Sequence, residues 1–124
     1  MNRTRTTRLV AMAATAAVVL AGCGNGGDAA EPATDGSLQI EAGDMYFEPE
    51  SFAADAGEVT VALENVGGVE HDFVVEEEGD DLVVHADPGE TNTGTIDLDA
   101  GTYTVYCSIP GHRDAGMEGT LEVS

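Results

Sequence analysis

Tyr106 to Gly119 reads Tyr-Cys-Ser-Ile-Pro-Gly-His-Arg-Asp-Ala-Gly-Met-Glu-Gly. It sets a thiol, an imidazole and a thioether at Cys107, His112 and Met117, each five residues after the last. Strand-like segments flank the stretch, so it reads as a loop. A loop can fold around one ion and offer three donors from one side. Thiolate and imidazole in a trigonal arrangement, with a weak thioether above, make a blue-copper site. Soft sulfur favours Cu(I) and imidazole accepts Cu(II), so one ion can cycle with little rearrangement. The set needs a second imidazole. His71 is the best candidate, because it follows the Asn65-Val66-Gly67-Gly68 turn and opens the run His71-Asp72-Phe73-Val74-Val75.

Two motifs carry these residues: Asn-x-Gly-x-x-x-His-Asp-Phe from Asn65, and Tyr-Cys-x-x-Pro-Gly-His from Tyr106. Together they resemble the two signatures of the cupredoxin family of blue-copper proteins, over roughly Met45 to Val123. The resemblance implies a Greek-key β-sandwich with one copper ion near one end. It implies His71, Cys107 and His112 as strong ligands and Met117 as the long axial one. It further implies that Asp72, Ser108, Pro110 and Gly111 support the site or form the electron's exit, which runs through the His112 ring edge. Many members carry Asn after the first His; this chain has Asp72. A carboxylate there can accept bonds from the ligand loop and adds negative charge near the metal.

A set closed by four protein donors leaves no position for substrate, which points to an electron carrier and away from an enzyme. The chain's three His are too few for an added catalytic copper. A copper chaperone, store or sensor is the alternative, but it would use Met-rich or His-rich clusters. His85 lies outside both motifs and reads as a strand-end residue. Met45 reads as packing within a Met45-Tyr46-Phe47 strand. The acidic run Glu76 to Asp81 reads as a solvated loop.

The elements that must position the donors read as all-β. Leu38, Ile40 and Ala42 alternate with polar residues, as do Val59, Val61 and Leu63. Tyr103, Val105 and Cys107 share one side, and Leu121 and Val123 close the chain. Turn residues separate the runs at Asp55-Ala56-Gly57, Asp87-Pro88-Gly89 and Asp99-Ala100-Gly101. Period-two alternation between such turns predicts seven to eight strands in a sandwich over residues 37–124.

The first 22 residues are of another kind. Arg3, Arg5 and Arg8 precede an apolar run from Leu9 to Leu20, then Leu20-Ala21-Gly22-Cys23. This is the pattern of a signal peptide, and its end resembles a bacterial lipobox. The resemblance implies cleavage before Cys23, lipid on Cys23, and anchoring to the outer face of the cell membrane or its periplasmic side. Residues 24–36 are small, polar and Gly-rich, a flexible tether. Three of the four Arg lie in the signal and there is no Lys, which leaves Arg113 against 24 carboxylates. Such a surface repels nucleic acid and anionic lipid and suits a redox partner with a basic docking face. It equally suits a salt-rich setting. A monomer is expected. Arg113 is expected to pair with Asp72, Asp114 or Glu118, or to mark a docking surface.

Overall fold

Alternation buries Leu38, Ile40 and Ala42 on one side of β1 (Ser37–Gly43) and Val59, Val61 and Leu63 on one side of β4 (Gly57–Asn65). The two strands pair in parallel, so both apolar stripes line one core face. This computed structural model describes residues 36–124. The signal, Cys23 and nearly all of the tether lie outside them. No helix among the described residues is long and apolar enough to cross a membrane.

The remaining strands are β2 (Tyr46–Glu48), β3 (Ser51–Ala54), β5 (His71–Val75), β6 (Asp81–Ala86), β7 (Thr91–Leu98), β8 (Gly101–Tyr106) and β9 (Glu118–Val123). One sheet has the order β2-β1-β4-β7 and the other β3-β9-β8-β5-β6. Their inner faces enclose a core of Val, Leu, Ile and a few rings. Phe73 sits at its middle, edge-on to Phe47 at 5.7 Å and to Phe52 at 5.8 Å between centroids.

The all-β sandwich matches the sequence reading, but the described strands number nine, not seven to eight. The strand that the pattern hid is β3. Its Ser-Phe-Ala-Ala buries only Phe52 and is held by parallel pairing with β9, so backbone bonds make it a strand without an apolar stripe. Met45 is not in a strand either. It has φ 72°, a left-handed turn position, and β2 begins one residue later. Strand β5 breaks alternation because all five of its residues are buried. It lies inside its sheet, and the ligand-bearing loop covers Asp72 on its outer face.

Topology gathers the candidate donors. Strand β8 runs antiparallel to both β5 and β9. The start of β5, the end of β8 and the start of β9 therefore meet at one end of the sandwich. His71 opens β5, Cys107 follows β8, and Met117 precedes β9.

Candidate metal centre

His71, Cys107, His112 and Met117 are all buried, at 0, 0, 7 and 0% exposure. The Sγ of Cys107 lies 3.5 Å from Nδ1 of His112 and 4.0 Å from Nδ1 of His71. A metal bound at about 2.0 Å to nitrogen and 2.3 Å to sulfur in a trigonal plane needs a nitrogen–sulfur edge of roughly 3.7 Å. The protein holds the three donors near that spacing, so the residues fit the ion that the sequence implies.

The loop is folded by its own backbone. The N–H of Cys107 donates to the Met117 carbonyl at 3.1 Å, and the N–H of Met117 donates to the His112 carbonyl at 3.1 Å. These bonds fix Met117 beside the other two loop residues. Gly111 adopts φ 86°, which a side chain would strain, so the turn that presents His112 needs glycine there.

The loop before His71 is held from three sides. Buried Asn65 donates to the carbonyls of Val69 and Ala86 at 2.8 and 2.9 Å and accepts from the Gly67 N–H at 2.9 Å. Asp44, in the β1–β2 turn, accepts from the Gly68 N–H with both oxygens, at 2.9 and 3.1 Å. Its Oδ1 lies 3.4 Å from Nε2 of His71, which makes no well-formed hydrogen bond. A proton on Nε2 facing this carboxylate leaves Nδ1 free as the donor. A Cβ on Gly67 would fall 2.3 Å from Asp44 Oδ1 and 3.0 Å from His71 Nε2, so only glycine admits this approach.

Asp72 joins the two halves. Its Oδ1 accepts from the Ser108 N–H at 2.6 Å and its Oδ2 from the Ser108 hydroxyl at 2.5 Å. Its own N–H points at Cys107 Sγ at 3.4 Å. Burial raises the Cys107 thiol to about 11. A metal must therefore displace a proton from that sulfur. Burial lowers His71, chiefly by desolvating its charged form, so its ring stays neutral and ready to bind.

The sequence matches the copper-binding proteins of the plastocyanin/azurin family over residues 34–124. The chain belongs to that family. Among its relatives, the chloroplast plastocyanin of Hordeum vulgare is 33% identical over an alignment spanning 100% of this chain and 88% of that protein. The plastocyanin of Vicia faba is 36% identical over 66% of this chain and 91% of its own. Among solved structures, reduced auracyanin from Roseiflexus castenholzii has a TM-score of 0.62 at 20% identity, covering 72% of this chain and 97% of that one. Auracyanin B has 0.61 at 23% identity, covering 71 and 88%. The two structural likenesses bear on the fold. Membership of the plastocyanin/azurin family brings a single copper ion, single-electron transfer between redox partners, and no enzymatic activity.

The fold brings every candidate donor and Asp72, Ser108, Pro110 and Gly111 to one end. Pro110 and Gly111 are exposed beside His112. His85 stands apart from the buried donors and pairs with Glu70 instead. Arg113 bonds Glu118 at 2.5 Å, as one expectation had it, and Glu76 at 3.0 Å rather than Asp72 or Asp114. Its guanidinium also lies 4.2 Å over the Tyr106 ring. The acidic run is therefore more than a solvated loop. Glu76 takes Arg113, Glu77 accepts from the Thr104 N–H at 2.8 Å, and Asp80 accepts from the Tyr106 hydroxyl at 2.7 Å. Sequence reasoning missed Asp44 altogether and gave Asn65 a place in a turn and a motif but no bonding role. The Asn65-x-Gly67 spacing was a usable signal, since Asn folds such turns by bonding two residues on.

Proposed function

We propose that this chain is a membrane-tethered electron carrier in which His71, Cys107 and His112 bind copper and Met117 lends a weak thioether contact. Copper would supply the one-electron couple. The observation that carries this reading is the buried cluster of two Nδ1 atoms and one Sγ, already near the spacing a bound ion needs. Burial excludes water from the donors, and the hydrogen bonds within the loop limit their movement. Little rearrangement then accompanies electron gain or loss. His112 keeps 7% of its surface exposed, and its ring edge would be the electron's route out. Pro110 beside it, and Val66 and Val69 on the loop before His71, are exposed apolar residues at this end. A monomer would present this end to its partner. With Arg113 the one basic side chain after Arg8, the carboxylate-rich surface favours a partner with a basic docking face.

Copper added to the protein is expected to give strong thiolate-to-copper absorption in the visible range and a reversible one-electron wave in voltammetry. Cys107→Ser should lose the absorption. Tight copper binding without colour or reversible cycling would instead favour copper handling.

The proposed tether rests on the Leu20-Ala21-Gly22-Cys23 motif and the polar stretch behind it. It puts the folded domain on the outer face of the cell membrane or its periplasmic side. Mass spectrometry of the native N-terminus is expected to find lipid on Cys23; an unmodified residue there would refute the anchor.

A further inference from the structure

We propose that Glu70, His85 and Asp87 form a second, surface metal site for a borderline divalent cation such as Zn2+. Each residue offers one ligand atom, and these atoms lie within 4.8 Å of one another. The Nε2 of His85 is 3.0 Å from Oε2 of Glu70. The side chains of His85 and Glu70 are 39 and 53% exposed, open to an ion from solvent.

The sheet builds the cluster. Strand β5 turns His71 inward, so Glu70 before it falls on the outer side. Strand β6 buries Val84 and Ala86, so His85 and Asp87 fall on that same outer side. The register pairs His71 with Ala86 and Asp72 with His85, which brings Glu70 beside the end of β6. Two further contacts set the strand end. Asn92 donates to the His85 carbonyl at 2.9 Å, and the N–H of Asp87 donates to Glu90 at 3.2 Å.

The chemistry selects the ion. One imidazole and two carboxylates suit Zn2+, with water in the fourth position. Ca2+ would demand six to eight oxygens, more than this site offers. A tetrahedral ion with bonds of about 2.0–2.1 Å needs ligand edges of roughly 3.3 Å. Glu70 and His85 are already that close, and exposed rotamers can bring Asp87 in. Of the buried donors only His71 belongs to this strand pair, on the face opposite His85, so the two sites share no ligand.

The test titrates Zn2+ into the copper-loaded protein, where copper keeps zinc off Cys107, and reads stoichiometry and affinity by calorimetry in 150 mM salt (an order-of-magnitude physiological value). One zinc per chain is expected. His85→Asn and Glu70→Gln should each weaken it at least tenfold, while Glu58→Gln, an exposed acid on another strand, should not. An unchanged copper spectrum and melting temperature certify that each variant is folded. Equal zinc affinity in wild type and His85→Asn overturns the proposal. So does binding that disappears in salt, which would mark a diffuse acidic surface.

Discussion

Phe73→Ala is expected to lower the stability of the metal-free domain by about 3–5 kcal/mol. The ring is fully buried between Phe47 and Phe52. Phe47 belongs to one sheet, Phe52 and Phe73 to the other. The residue therefore ties the layers together, and no small collapse can refill its space. The chain has three Phe, three Tyr and no Trp, so few other rings can compensate. Domains of this size hold about 5–15 kcal/mol in all, and the variant should sit near the edge of folding. Copper offsets the loss, because His71 and Cys107 meet only when β5 and β8 are in place. Free metal at about a thousand times its dissociation constant adds about 4 kcal/mol. Urea unfolding with and without copper checks both halves. A metal-free variant as stable as wild type, or copper that gives no protection, would show that the core and the centre are not linked in this way.

The same coupling explains what was legible in the sequence. His112 and Met117 follow Cys107 on one loop, and that spacing together with the His71 motif announced a site. Alternation in β1, β4 and β8 was equally readable, because each turns a stripe of large apolar residues to the core. In β5 the run from His71 to Val75 was readable as a strand, but the burial of Asp72 was not, since a loop from elsewhere in the chain covers it. The same holds for Asp44. It meets Gly68 across 24 residues, through two turns that no local pattern connects. Arg113 finds Glu76 across 37 residues for the same reason. Local periodicity reports burial by a strand's own sheet partner layer. Contacts between loops depend on where the sandwich brings its ends, and that is written in no single segment.

Asp72→Asn is expected to raise the reduction potential on the order of 100 mV. Asp72 is 4% exposed and lies one hydrogen bond from Cys107. A buried negative charge favours the oxidised, more positive centre, so removing it favours the reduced one. At ~6 Å and an effective dielectric of ~20 the interaction is about 3 kcal/mol, which is on the order of 100 mV for one electron. Asparagine preserves the architecture. Its oxygen can still accept from the Ser108 N–H, and its NH2 can donate to the Ser108 hydroxyl once that group rotates. The loops should stay joined while the charge is gone. Voltammetry of the variant beside wild type reads the shift, and the visible spectrum reads the ligand set. Because the carboxylate is shielded from solvent, raising the salt should change the difference little. A potential that stays put with an intact spectrum would mean that Asp72 serves only as a hydrogen-bonded clasp. A potential that falls would mean that the bond to Ser108, and not the charge, governs the sulfur's electron density.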